Sequence, residues 1–429
     1  MNTERPLKIG ITCYPSVGGS GVIATTLGKE LAVRGHEVHF ISYERPFRLP
    51  EDTPRTHFHP VVINDYGLFK YPDYTLPLSV KMAQVSCQHK LDILHVHYAV
   101  PHATAAILAR CMLPEEAQPR VVTTLHGTDT TLLGSDPGYG PAIHHALLQS
   151  DAVTTVSGYL KDETRRVLNF KGPMEVIHNF FEPGAPTRSR KEVRTELGIA
   201  DDEVMILHSS NLRPMKRIDL LLDTIAKIRP RNAFRLVILA GGSFAAFEPE
   251  VRRLGLEHNI IVRENVLEIE DYLQAADLAL YTSESESFCL SILEAMFFGC
   301  PSVTTSVGGI PEVVEDGVTG LMVPFEEADQ LARTGGKFVE AAAQSSRSRG
   351  NLAHSGPGGT QPCHVANTLC KTAHQLAQAV ETLINDPTLR MTLGAESKKR
   401  AEAKFSADII VPQYEALYRA QLDARLQKH

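Results

Sequence analysis

The chain runs through the same alternation twice. Between residues 7 and 180, short β-branched runs take turns with longer stretches of helical period. The short runs are LKIGITCY (7–14), HEVHFIS (36–42), DILHVHYA (92–99), RVVTTLHG (120–127), DAVTTVS (151–157) and EVIHNF (175–180). A stretch rich in Pro, Gly and charge, EPGAPTRSRKEVRTELGIADDE (182–203), then breaks the pattern. The alternation restarts with EVMILHSS (203–210), RLVILAGG (235–242), NIIVRE (259–264), DLALYTS (277–283), PSVTTS (301–306) and GLMVP (320–324). Strands separated by helices must pair in parallel, because only a crossover connection can return the chain to the same end of a sheet. The expected class is therefore α/β: two Rossmann-like doubly wound domains, 1–181 and 182–407, facing a cleft. Ligands of such sheets bind at the carboxyl ends of the strands. At 429 residues the chain is long enough for two cores.

Two segments stand outside the alternation. RTGGKFVEAAAQSSRSRGNLAHSGPGGTQPCHVANTL (333–369) has little periodicity and reads as an irregular insertion in the second domain. DIIVPQYEALYRAQLDARLQ lies in the last segment, 408–429, which reads as a closing helix that packs back on the first domain.

Composition narrows the partners. A net charge of −7 argues against a broad nucleic-acid or anionic-membrane surface. No run approaches about 20 apolar residues, so no membrane span is expected. The N-terminus carries no signal-peptide pattern, and seven scattered cysteines read as reduced thiols of a cytoplasmic protein. Homo-oligomerisation stays open.

Four stretches carry candidate chemistry, each beside a plainer reading. GGSG (18–21) follows the first strand and opens the first helix, where glycine-exposed amides suit a phosphate; it can equally be an ordinary turn. It is not a G-x-G-x-x-G fingerprint, and no acidic residue ends the second strand, which argues against a nicotinamide enzyme. SNLRPMKRID (210–219) puts Arg213 and Lys216 at a strand's carboxyl end. Two cations there can neutralise a diphosphate leaving group without a metal, or can be a solvated basic turn; Arg217 reads as solvated. HGTD (126–129) places His126 after a strand, where its nitrogens can meet a substrate hydroxyl, while His95, His97, His102, His144 and His145 read as structural.

SESESFCLSILEAMFFG (283–299) puts Glu286 just before a helix expected to start near Ser287 or Phe288, and Glu294 inside its apolar run. The amides of Phe288, Cys289 and Leu290 would favour an anion. An ionised Glu294 in an apolar helix needs a partner, either a buried base or ligand hydroxyls. Glu284 reads as a solvated neighbour. No C-x-x-C, H-E-x-x-H, G-x-x-x-x-G-K-[ST] or G-x-S-x-G occurs, and the Cys363, His364, Cys370 and His374 spacing matches no strong zinc pattern. No metal site is expected.

ESFCLSILEAMFFGCPSVTTSVGGIPEVVEDGVTGLMV (286–323) resembles the E-x₇-E signature region of the retaining glycosyltransferases of family 4. The resemblance implies the GT-B fold, a nucleotide-sugar donor, and no metal or other cofactor. KIGITCYPSVGGSGVIATTLGKELAVRGHEVHFI (8–41), LDILHVHYAVPHA (91–103) and VVTTLHGTDTTLLGSDP (121–137) are similar to those members that move GlcNAc from UDP-GlcNAc to the hydroxyl of L-malate, the step that opens bacillithiol biosynthesis. By that resemblance Glu294 serves the ribose hydroxyls and Glu286 the donor sugar's 3-hydroxyl. Arg213 and Lys216 serve the diphosphate, helped by Gly18, Gly19 and the Phe288–Leu290 amides, and His126 serves the sugar near its 6-hydroxyl. Ser20, Tyr98, Thr123 and Ser16 are the acceptor candidates. The chain departs from the family at the 333–369 insertion, at NIIVREN, and at Asn211, where the family often has Arg.

Overall fold

The structure is a computed structural model that describes residues 5–15, 18–63, 73–230, 233–326 and 366–426. It divides into two compact units. The first comprises Met1–Glu182, Ser287–Leu290 and Glu402–His429, and the second Pro183–Glu286 and Ser291–Ala401. The unit edge thus falls between Glu182 and Pro183. Residues 287–290 and 402–407, which the sequence reading placed with 182–407, cluster with the first unit.

The first unit is built on seven strands: β1 (Lys8–Thr12), β2 (Glu37–Ser42), β3 (Thr56–Pro60), β4 (Ile93–His97), β5 (Arg120–Leu125), β6 (Ala152–Thr155) and β7 (Glu175–Val176). All adjacent pairs are parallel, in the order β3-β2-β1-β4-β5-β6-β7. Side chains alternate between faces along each strand, so each strand feeds two cores. Ile9, Ile11, Val38, Phe40, Ile93 and Val122 pack with Leu27 and Leu31 of the helix Gly19–Val33 and with Tyr414 and Tyr418 of the closing helix Ala407–Leu426. Ile41, Leu94, Val96 and Val121 pack on the other face with Leu78 and Met82 of the helix Thr75–His89 and with Ala105 and Ala109 of the helix Thr104–Cys111. Tyr414 and Tyr418 are fully buried, and a large side chain so placed stabilises by about 1.5–3 kcal/mol. The strand β3 was not expected from sequence. THFHP carries two histidines and ends in proline, a pattern that only an edge strand tolerates.

The second unit has six parallel strands: β8 (Val204–Ser210), β9 (Phe234–Ala240), β10 (Ile260–Glu264), β11 (Leu278–Tyr281), β12 (Ser302–Thr305) and β13 (Gly320–Val323). Their order is β10-β9-β8-β11-β12-β13. Counted from each unit's first strand, both sheets follow the doubly wound order 3-2-1-4-5-6, and the first adds one strand. The second core joins Ile206, Leu236, Leu278 and Val303 to Leu221 and Ile225 of the helix Ile218–Lys227 and to Leu376 and Val380 of the helix Ala366–Asn385. The unit opens on a capping box, in which Ser189 and Glu192 each bond the other's backbone N–H. Most of the insertion expected at 333–369 lies outside the described residues, but 366–369 already belong to the helix Ala366–Asn385. Among the described residues no helix is long and apolar enough to cross a membrane.

Candidate functional site

A doubly wound sheet reverses its strand order between its first and fourth strands, and the loops leaving those two strands diverge there. In the second unit these are the loops after β8 and β11. The chain leaves β8 at Ser210 and makes a short 3₁₀ turn, Pro214–Lys216, before the helix Ile218–Lys227. The loop after β11 is stitched to it: the Glu284 N–H donates to the Met215 carbonyl (2.9 Å), and the Thr282 hydroxyl is 3.1 Å from the carbonyls of both Lys216 and Arg217. This brings Lys216 Nζ to 2.5 Å from Glu286 Oε1, which also accepts from the Ser283 hydroxyl at 2.7 Å. Both side chains are largely shielded, 18% and 10% exposed.

Glu286 is also held through its backbone. Its carbonyl accepts from the Gly309 N–H at 2.9 Å. Gly308 has φ +55°, and a Cβ there would collide with that same carbonyl, so the GGIPE turn needs glycine at 308. Beneath the pair, His208 bonds the Leu280 carbonyl through Nδ1 (2.8 Å) and Ser210 Oγ through Nε2 (2.9 Å). Burial, assisted by the charge of Lys216, pushes its pKa down to about 4, so this imidazole adds no charge at neutral pH.

Glu294 lies in the helix Leu290–Phe297, 8% exposed, between Leu293 and Ala295, which are fully buried. The helix is tied to β11 by the Tyr281 hydroxyl, which donates to the Ser291 carbonyl at 2.8 Å. It starts at Leu290, not near Ser287 or Phe288, because Cys289 takes a left-handed φ of +69°. Among the three expected anion-facing amides, only that of Leu290 belongs to the helix. Phe288 is instead a packing residue of the first unit, its ring 5.8 Å from that of His178 and 5.6 Å from that of Phe405.

In the first unit the corresponding loops follow β1 and β4. The helix begins at Gly19 with Gly18 as its N-cap, so Gly19, Ser20 and Gly21 form its first turn rather than a separate loop. After β4, Tyr98 adopts φ +84°, ψ 140°, costly for a residue with a side chain, and its hydroxyl donates to Ser20 Oγ at 3.0 Å. After the next strand, β5, comes His126. Its Nε2 lies 2.8 Å from His97 Nδ1, and its ring is 5.4 Å from that of Tyr98. Ser20, Tyr98 and His126 are therefore brought together.

Behind them stand His95, His97 and His102, read from sequence as structural and found fully buried; their assembly into one cluster, and Asp129 beside it, was not read from sequence. His97 carries His126, and His102 Nδ1 bonds the His97 carbonyl at 2.5 Å. His95 bridges the Tyr418 hydroxyl and Thr124 Oγ1, both at 2.7 Å. Burial lowers His126 and His95 to about 3 and His102 to about 4, and it lowers His97 as well. The cluster is thus a set of neutral imidazoles. Asp129, fully buried, accepts the Ala99 N–H at 2.8 Å, and burial pushes its pKa up to about 7. The alternation in HVH (95–97), next to a strand ending in HG, was the available signal.

Other expectations fare differently. Thr123 is fully buried and engages the Ser150 hydroxyl at 2.8 Å, whereas its neighbour Thr124 faces His95 on the opposite side of the sheet. Arg213 is exposed, and its guanidinium makes no hydrogen bond or ion pair with a described residue. Arg217, read as solvated, is buried: it bonds Asp219 at 2.8 Å and lies 3.4 Å from Glu284, whose side chain is only 7% exposed. Both were misread because their mutual contact joins residues 67 apart in the chain, although Arg217 also has Asp219 two residues on. Ser16, Cys363 and His364 lie outside the described residues.

Comparison with known proteins gives these loops a context. Residues 17–184 match Glycosyltransferase Family 4, and residues 189–351 match Glycosyl transferases group 1. The chain is 38% identical over 414 residues to N-acetyl-alpha-D-glucosaminyl L-malate synthase of Bacillus anthracis, covering 96% of each chain. The chain belongs to the family 4 glycosyltransferases. D-inositol 3-phosphate glycosyltransferase of Mycobacterium tuberculosis is 29% identical over 345 residues, 73% of this chain and 70% of that one. Among solved structures, a glycosyltransferase from Rickettsia africae superposes with a TM-score of 0.73 at 17% identity, covering 98% of this chain and 99% of that one. Anabaena Alr3699/HepE in complex with UDP and glucose gives 0.69 at 18% identity, over 96% and 100%. At these identities the structures speak for the fold: this family 4 glycosyltransferase has the GT-B architecture of two Rossmann-like domains.

Proposed function

We propose that the enzyme transfers GlcNAc from UDP-GlcNAc to the hydroxyl of L-malate, releasing UDP and keeping the α configuration. The observation that carries this reading is the 38% identity over 96% of both chains to the Bacillus anthracis protein whose name states that product. The strand-end chemistry supports it. In the second unit, Lys216 supplies a shielded cation for the β-phosphate, and Glu286 an acceptor for the sugar's 3-hydroxyl. Glu294 receives the ribose hydroxyls, and Arg213, exposed one turn before Lys216, reaches the diphosphate. The Leu290 amide and those of the Gly18–Gly19 helix start are the further phosphate donors. In the first unit, neutral His126 hydrogen-bonds the sugar near its 6-hydroxyl, and Tyr98 and Ser20 offer hydroxyls to the acceptor.

The chemistry requires stabilising a leaving diphosphate more than it requires a strong base, so fixed cations and helix-start amides suffice in principle and no metal cofactor is proposed. The departing phosphate oxygen can itself take the acceptor's proton on the same face of the sugar, which accounts for retention. UDP release measured with UDP-GlcNAc, with and without L-malate, tests the reading. L-malate should stimulate release above other 2-hydroxy acids; equal rates with those acids defeat the acceptor assignment. Trapping of a covalent glycosyl-enzyme would defeat the same-face step.

A further inference from the structure

A second cluster of imidazoles lies at the opposite ends of the first unit's strands from the loops just described. β2 and β3 pair in parallel with His39 opposite His57 and Ile41 opposite His59. Alternation therefore puts Glu37, His39, His57 and His59 on one face. That face is covered by the helix Thr75–His89, whose last residue brings a fourth imidazole. His39 Nδ1 is 2.9 Å from His59 Nε2, and the His39 and His89 rings are 4.4 Å apart. One nitrogen from each of His39, His59 and His89 fits within a 4.8 Å sphere of mutual distances. The other nitrogen of His39, Nε2, lies 3.2 Å from Glu37 Oε1. The second carboxylate oxygen of Glu37 is 3.6 Å from Lys8, and His57 stands 3.5 Å from the first.

We infer that His39, His59 and His89 form a binding site for a divalent transition-metal ion of the zinc class, with Glu37 orienting His39 from behind. Three imidazoles are the donor set such ions prefer, and tetrahedral ligation at about 2.0–2.1 Å places neighbouring nitrogens about 3.3 Å apart. The His39–His59 contact need open by only about 0.4 Å to reach that spacing. With the His39 Nε2–H directed at Glu37, the proton between the two rings belongs to His59 Nε2; on ligation it moves to His59 Nδ1, so both rings bind as neutral imidazoles. A carboxylate accepting the remote N–H of a metal-bound histidine fixes its tautomer, and Glu37 is so placed. His39 is fully buried, whereas His59 and His89 are half-buried, so the fourth position opens toward water. The helix C-terminus at His89 adds the favourable end of its dipole. The site would fasten the edge strand β3, which among the described residues pairs with β2 alone, to the helix on its face. No motif search finds it, because its ligands come from two strands and a helix.

The test uses the full chain, carrying no polyhistidine tag and stripped of metal, titrated with Zn²⁺ and with Co²⁺. The expected result is one equivalent bound, visible d–d bands of tetrahedral Co²⁺ without thiolate charge transfer, and a higher melting temperature with Zn²⁺ present. His59→Gln and His89→Gln should remove that equivalent while the metal-free variants keep wild-type circular dichroism. Glu37→Gln should weaken binding on the order of 10–100-fold. The inference is overturned by the absence of stoichiometric binding. It is equally overturned by Zn²⁺ binding that survives both histidine substitutions, or by Co²⁺ spectra dominated by thiolate bands, which would place the ion on cysteines instead.

Discussion

The two sheets share a strand order yet furnish their switch points with opposite chemistry. After β8 and β11 of the second unit the side chains are charged and tightly paired: Lys216 on Glu286, and Arg217 on Asp219 and Glu284. After β1, β4 and β5 of the first unit they are neutral: Ser20, Tyr98, His126 and the histidines behind them. The same backbone geometry therefore sets only where a ligand group can be met. What is met depends on local burial. The second unit keeps its shielded groups charged by pairing them, and the proposed function assigns Lys216 and Glu286 of that set to phosphate and sugar hydroxyls. The first unit buries imidazoles until they lose their charge, which suits hydrogen bonding to hydroxyls and leaves any acceptor carboxylate to other groups.

Charge at the second switch point is the easiest part to break. If Lys216 and Glu286 serve the leaving phosphate and donor sugar as proposed, Lys216→Ala and Glu286→Ala should each lower kcat by roughly 10²–10³. Full activity in Glu286→Ala, measured by UDP release, would remove that residue from the donor site. Arg217→Ala tests pairing without chemistry. It removes the buried guanidinium that contacts Asp219 and Glu284, so destabilisation of about 2 kcal/mol is expected in urea unfolding, before any effect on KM. Unchanged stability would return Arg217 to the solvated class.

The neutral cluster predicts a pH dependence of definite sign. His95, His97, His102 and His126 all have folded pKa values below the ordinary 6.5, with His126 near 3. Above about pH 6.5 neither state binds these protons and the contribution is fully present. As pH falls below that, the unfolded chain protonates and the folded one resists, so stability declines toward the folded values, by at most about 1.4 kcal/mol per pH unit for each histidine. Chemical denaturation at several pH values between 7.5 and 4.5 measures this slope, and His95→Gln should flatten it; an unchanged slope would contradict the neutral assignment. The smallest effect is expected for His97→Gln. It keeps a hydrogen-bonding group behind His126, so kcat should fall less than tenfold, roughly the loss of one neutral hydrogen bond, whereas His126→Ala should cost about 10².

Legibility differed by region in the same way. The apolar strands were read from sequence because both their faces are buried. The polar edge strand β3 was not, since THFHP has neither an apolar run nor clean alternation. Glu286, Glu294, Lys216 and His126 were nominated from motif spacing, and His97 was read as structural, which its buried place behind His126 bears out, while Asp129 and Ser283 were not singled out. Thr123 was nominated and sits on the wrong face, an error that one residue of alternation decides. The helix start was misplaced because Cys289, a residue that rarely goes left-handed, does so here.

The sequence by itself determined the class: alternation of buried strands with amphipathic helices, broken once by a polar linker, leaves little besides two parallel sheets. It also determined which residue types stand near strand ends, because those positions follow directly from local periodicity. The tertiary structure decided the strand order, and with it which loops diverge at each switch point. It decided that Lys216 meets Glu286 and that Arg217 is buried against Glu284. Those outcomes depend on contacts between residues about seventy positions apart, where local propensity is silent and only the pairing of strands brings the chain together.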